Sequence, residues 1–249
     1  MTNKLYALDF DGVLCDSAVE TAIAGWKVAL QLWSDMPDHI PAEILERFRQ
    51  VRPVMETGYE SILIVRMLFE GLDTESLMSA FHHQIEALMI RDALEVDELK
   101  QTFGATRDQW IEDDFDNWIK MNPLFDGVAE KLHQLETEQS VIITTKQERF
   151  VDHILSANQI HFPIEQIYGL DRNLSKQQIL TDLSAAQPNT DILFVEDRLP
   201  TLINVITDDR LDNVQLLLAN WGYNTKQDRD SATEIKRIKT INLADLQQL

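Results

Sequence analysis

Cysteine is almost missing from this chain: Cys15 is the one thiol in 249 residues. That excludes an internal disulfide framework and fits a reducing compartment. Glycine and proline are scarce as well, at 8 and 7 residues, which excludes a collagen-like or low-complexity architecture. No apolar run approaches the ~20 residues of a membrane-crossing helix. The first acids arrive at Asp9, too early for a secretory leader, so a cytoplasmic protein is expected. Positive charge is in short supply: 22 Lys and Arg stand against 42 Asp and Glu, a net −20. Such a balance argues against nucleic acid or an anionic membrane as a partner. An anionic substrate would need cations gathered locally.

What the chain does have is 44% hydrophobic residues, enough for one large core or a core with a substantial insertion. Leu5 to Phe10, Val141 to Thr144, Ile192 to Val195 and Val214 to Ala219 read as buried strands. Helical patterns at Glu148–Ala157, Lys176–Ala186 and Pro200–Thr207 alternate with the last three, and "IKTINLADLQQL" adds a strand and a closing helix. Alternation of this kind predicts an α/β fold with a parallel sheet covered on both faces. Between about Ala18 and Met121 the pattern is helical throughout, with apolar residues three and four apart. "MNPLFDGV" reads as a turn into a helix. The predicted organisation is therefore a Rossmann-like core, residues 1–16 and 122–249, interrupted by an all-helical cap, residues 17–121.

The first strand ends in "LDFDGVLCDS". Asp9, Asp11 and Glu20 match positions one, three and twelve of a calcium loop, but Val13 and Leu14 stand where a ligand and a glycine are required. A solvated turn would account for one acid and not for two. Residues i and i+2 of a strand share a side, so Asp9 and Asp11 can face one point beyond the strand's carboxyl end, where open parallel sheets bind ligands. Paired carboxylates suit a division of labour between nucleophile and acid. Gly12 permits a tight turn and offers an N–H to an anion.

"DFDGVLCDS" resembles the first motif of the haloacid dehalogenase superfamily, in its Mg-dependent phosphatase branch. "VIITTK" resembles the second motif, with Thr144 as the hydroxyl that holds the phosphoryl group and Thr145 beside it. Lys176 in "NLSKQQIL" falls where the third motif's lysine is expected, and "ILFVEDRLPTL" resembles the fourth. "NPLFDGV" is similar to the stretch by which phosphoglycolate-phosphatase-like members re-enter the core. The resemblance implies a phosphatase in which Mg²⁺ is surrounded by Asp9, Asp11, Glu196 and Asp197. Asp9 would be the nucleophile, Asp11 the acid and base, and Gly12, Thr144, Thr145 and Lys176 the phosphate-binding residues. The substrate implied is a small phosphorylated metabolite.

The residue types agree with that chemistry. A carboxylate and a phosphate repel: at ~4 Å and an effective dielectric of ~20, each pair of unit charges costs about 4 kcal/mol. A divalent cation and a lysine reverse the sign, and Mg²⁺ favours hard oxygen ligands. Asp11 also separates this chain from true haloacid dehalogenases, which place no acid there. The fourth motif departs from the commoner Gly-Asp form with a later acid, since Thr201 stands where that acid would be. Glu196 is the obvious replacement.

Ordinary alternatives stand beside these assignments. Thr144 is also simply the last residue of a strand, and Lys176 sits near a helix start where a solvated lysine is common. Lys146 reads as a solvent contact. Ser17 is well placed as a helix N-cap, and Cys15 as a small packing residue. His82 and His83 are neighbours and so lie on different helix faces, and Asp113, Asp114 and Asp116 read as a solvated face. In the cap, Arg47, Arg49 and Arg52 lie close in sequence. Arg49 and Arg52 are candidate readers of an anionic group on the substrate, the alternative being pairing with the protein's own carboxylates. Two rival functions remain: a phosphomutase, for which "ED" at 196–197 is the pointer, and a non-catalytic binding protein on the same scaffold. Oligomeric state is not legible.

Overall fold

The apolar run that opens the chain becomes strand β1 (Asn3–Leu8), buried from Leu5 onward. The computed structural model describes residues 3–135 and 139–249. After β1 come six helices: α1 (Ala18–Leu32), α2 (Ala42–Val51), α3 (Glu60–Phe69), α4 (Thr74–Ser79), α5 (Phe81–Arg91) and α6 (Val96–Lys120). The chain then alternates through α7 (Val128–Gln134), β2 (Ser140–Ile143), α8 (Glu148–Ala157), β3 (Ile167–Tyr168) and α9 (Lys176–Ala186). It ends with β4 (Thr190–Glu196), α10 (Leu199–Ile206), β5 (Gln215–Ala219), α11 (Lys226–Thr233), β6 (Ile238–Ile241) and α12 (Leu243–Gln248). Two compact units result: the chain up to Asp16 together with Leu124–Leu249, and Ser17–Pro123.

The first unit is a six-stranded parallel sheet in the order β3-β2-β1-β4-β5-β6. This is the expected α/β class with a Rossmann-like sheet. Parallel neighbours need crossover connections, and the helices supply them. Strands buried on both faces read as continuous apolar runs, as "ILFV" in β4 shows: Ile192, Phe194 and Val195 are wholly buried. Ile192, Phe194, Leu216 and Leu218 pack with Leu202 and Ile179 from the helices. Each such side chain contributes about 1.5–3 kcal/mol by leaving water. The strand order reverses at β1, whose neighbours are β2 on one side and β4 on the other. That reversal is where an open parallel sheet leaves a crevice beyond its carboxyl ends.

The second unit is helical. Here α1 packs against α2, α3 and α6. Its interior holds a charge pair: Arg107 on α6 donates to Glu20 on α1 from Nε at 2.7 Å and Nη2 at 2.6 Å, and Trp118 Nε1 adds a third bond at 3.1 Å. Glu20 is wholly buried. α6 breaks at Asp114, where φ/ψ of −156°/73° are non-helical. Asp113, Asp114 and Asp116 are exposed, as are His82 and His83. Ser17 stands at the N-terminus of α1 but makes no side-chain capping hydrogen bond there, contrary to expectation. Among the described residues, no helix is long and apolar enough to cross a membrane.

Candidate active site

Asp9 follows β1 directly, and its N–H still donates to Val195 of β4 at 2.9 Å. This backbone bond fixes it at the sheet's reversal point. Glu196 closes β4 and Asp197 follows it. All three acids are buried, and each offers a carboxylate oxygen within 4.8 Å of the others'. Adjacent residues of a strand alternate sides, so 196 and 197 converge only because the pleat ends there.

Lys176, first residue of α9, lies 2.8 Å from Asp9 Oδ1 and 2.7 Å from Glu196 Oε2. One ammonium is thus shared by two carboxylates. Burial pushes the Asp9 carboxyl up to about 7, with Lys176 opposing the shift and Glu196 adding to it. For Lys176, burial works to lower the pKa, but the two carboxylates outweigh it and hold the ammonium above its ordinary value.

Asp11 does not join this cluster. Its Oδ1 accepts from Lys146 Nζ at 3.0 Å, and the lysine side chain is 1% exposed. The Asp11 carboxylate is not among the three that converge. One sequence expectation is corrected here: Lys146 is no solvent contact, being buried as the partner of Asp11. A lysine in a polar stretch reads as solvated because lysine is almost never buried unpaired, and the pairing acid lies on another strand's loop. Thr144 is buried at the end of β2, and its Oγ1 accepts the Lys146 N–H at 3.1 Å. The hydroxyl proton is what it offers a ligand. Thr145 is exposed beside it.

Gly12 makes the tight turn expected of it, but its amide acts otherwise. Its N–H is spent on the carbonyl of Cys15 at 2.9 Å, so it is not available to an anion. Its φ is +89°, and a Cβ there would lie 2.0 Å from Asp197 Oδ2. The residue matters for the side chain it lacks, which lets Asp197 come over the turn. Cys15 is wholly buried, as a packing residue should be.

The candidate arginines belong to the Ser17–Pro123 unit. Arg47 caps carbonyls at and beyond the end of α3, those of Leu68 and Leu72. Arg49 is exposed on α2. Arg52 is buried at a short 3₁₀ turn, its Nη1 donating to Met55 O at 3.4 Å.

No family model and no curated protein sequence matches the chain. Solved structures do. A predicted phosphatase from Clostridium acetobutylicum superimposes over 100% of this chain and 98% of its own, with a TM-score of 0.59 at 14% identity. A haloacid dehalogenase-like family hydrolase from Streptococcus pneumoniae covers 97% and 94%, with a TM-score of 0.56 at 16% identity. The chain has the haloacid dehalogenase-like fold. That fold does not carry one activity: protein tyrosine kinase A from Mycobacterium tuberculosis shares it over 98% of this chain and 96% of its own, with a TM-score of 0.53 at 18% identity. Activity has to be read from the site. In this site, four acids (Asp9, Asp11, Glu196 and Asp197) stand with two ammonium groups, those of Lys146 and Lys176. With all four acids ionised, a divalent cation would bring that sum to zero. The donors are hard carboxylate oxygens, the chemistry Mg²⁺ prefers over softer metals, so the residues present fit the ion.

Proposed function

We propose that the protein is a Mg²⁺-dependent phosphatase that hydrolyses a small phosphorylated metabolite through a phosphorylated Asp9. The convergence of Asp9, Glu196 and Asp197, with Lys176 bridging two of them, is the observation that carries this reading. Structural neighbours named as phosphatases support it. Asp9, Glu196 and Asp197 would hold the ion, which when bound supplies positive charge that offsets the acids and polarises the phosphoryl group.

The chain's own residues do the rest. An Asp9 carboxylate oxygen bonds to phosphorus as the bond from phosphorus to the substrate's leaving oxygen breaks. Asp11 gives that oxygen its proton. It then takes a proton from water, whose oxygen attacks phosphorus and displaces Asp9, releasing inorganic phosphate. Lys176 keeps a positive charge against Asp9 throughout, and the Thr144 hydroxyl donates to a phosphoryl oxygen. Lys146 holds Asp11 in place between its two proton transfers.

The test is phosphate release from an aryl phosphate with and without Mg²⁺, for the wild type and for Asp9→Asn, which keeps the shape and removes the nucleophile. We expect no turnover after chelation and a loss of about 10³-fold or more in the variant. Wild-type turnover in either case overturns the mechanism. A panel of phosphorylated metabolites then names the substrate.

A further inference from the structure

The loop Asn220–Asn224 between β5 and α11 contributes no residue to the motifs, yet its contacts gather on Asp197. The Tyr223 N–H donates to Asp197 Oδ2 at 2.6 Å. Asn224 is buried, and its side chain is fully used. Its Nδ2 donates to the carbonyl of Asp197 at 2.9 Å and to that of Ala219 at 2.8 Å, tying the end of β4 to the end of β5. Its Oδ1 accepts from Arg229 Nη1 at 2.8 Å, and the same nitrogen reaches the Asn224 carbonyl at 2.9 Å. On the other side, Trp221 Nε1 donates to Val13 O at 3.1 Å, within the turn that follows Asp9. The approach is close: a Cβ at Gly222 would lie 2.3 Å from Asp197 Cβ and 2.4 Å from Gly12 O.

We propose that Asn224 is a positioning residue for the divalent-cation site, fixing the backbone of Asp197 so that its carboxylate meets those of Asp9 and Glu196. This rests on the metal-dependent reading above. An amide whose donors and acceptor are all engaged has one orientation, and it transmits that orientation to the two carbonyls it holds. Groups of this kind, bonded to a ligand rather than to the metal, change metal affinity by roughly 10–100-fold when removed. Removing this one frees the peptide of residue 197 to shift, and a carboxylate displaced by a fraction of an ångström is a poorer ligand.

The experiment measures Mn²⁺ binding to metal-free protein in the absence of substrate, by the electron paramagnetic resonance signal of the unbound ion. Asn224→Ala is expected to raise the Kd about 10–100-fold, with kcat at saturating Mg²⁺ falling far less than metal affinity. Arg229→Met, which removes only the support for Asn224, is expected to give a smaller rise. If Asn224→Ala melts lower but binds Mn²⁺ like the wild type, Asn224 is merely structural and the proposal fails. Should that variant not fold, Arg229→Met decides, and an unchanged Kd overturns the proposal. If the wild type binds no Mn²⁺, or Asp197→Asn binds it equally well, the metal-dependent reading fails and takes this one with it.

Discussion

Lys146 Nζ stands 3.0 Å from Asp11 Oδ1, with the lysine side chain 1% exposed and the aspartate 16%. The two acids of the first motif are thereby served by different cations, Asp9 by Lys176 and Asp11 by Lys146. Separate partners give the two carboxylates different surroundings although they are two residues apart.

If Lys146 acts by holding Asp11, Lys146→Met and Asp11→Asn should fail in the same way. Both should lose about 10²–10⁴-fold in kcat/KM on an alkyl phosphate, whose leaving oxygen needs a proton. Both should lose less on an activated aryl phosphate, which leaves without one. The double variant should be little worse than Asp11→Asn alone. Equal losses on the two substrates would remove both residues from proton transfer.

Metal titrations of turnover should rank the fourth-motif variants. Asp197→Asn is expected to raise the Mg²⁺ requirement most and Glu196→Gln less, since both Glu196 oxygens already accept bonds, from Arg198 N at 3.0 Å and Lys176 at 2.7 Å. Thr201→Ala should change it little. A Thr201 effect larger than that of Glu196 would reverse the assignment.

Asp9 contributes to the pH dependence of the metal-free fold with a definite sign. Burial raises the Asp9 carboxyl from 3.8 to about 7. Between those values the folded protein holds a proton that the unfolded chain has released, so stability falls as pH rises through that window. Lys176, its pKa raised, stays charged throughout and adds no slope. The melting temperature of metal-free protein should therefore drop from pH 5 to pH 8, and drop less in Asp9→Asn. Mg²⁺ should restore more of it at pH 8, because it binds the ionised form. A profile identical in the variant would dissociate the effect from Asp9.

The buried Glu20–Arg107 pair of the helical unit should be less costly to remove together than singly. Removing one partner, as in Glu20→Gln, leaves a buried charge and is expected to cost about 3–5 kcal/mol in denaturant unfolding. Replacing both with methionine should cost less than either single change, about 1–3 kcal/mol, because what it leaves is the buried Trp118 Nε1 without its acceptor rather than a charge. A single variant costing under about 1 kcal/mol would show the charge reaching water.

The sequence made the sheet's centre legible because strands buried on both faces are continuous apolar runs: β1, β2, β4 and β5 all stand where "LYAL", "VII", "ILFV" and "QLLLA" lie. The bounds of α8 and α9 were legible from their apolar periodicity. β3 was missed because Ile167–Tyr168 is an edge strand of two residues, too short to show a period. α11 was missed because only Ala232 of its eight residues is buried; the Thr225–Asp228 capping box was the available signal. In the site, Asp9, Lys176, Glu196 and Asp197 could be picked out by order along the chain, and the structure brings them together. Lys146, Gly12 and Asn224 act through contacts between distant loops, which no local pattern records.

The position of β1 sets an order of events during synthesis. Asn3 pairs with Thr190 and Leu8 with Val195, so β1 leaves the ribosome with no β4 to pair with until the long stretch between them has followed. Contacts of such sequence separation form slowly, whereas Ser17–Pro123 can assemble from local helix contacts in the meantime. The acids at 9 and 11 are then made well before the residues at 196 and 197 that complete their surroundings. A stalled or truncated chain lacking β4 would present β1 as an apolar strand with its β4-facing edge open, a target for chaperones rather than an early enzyme.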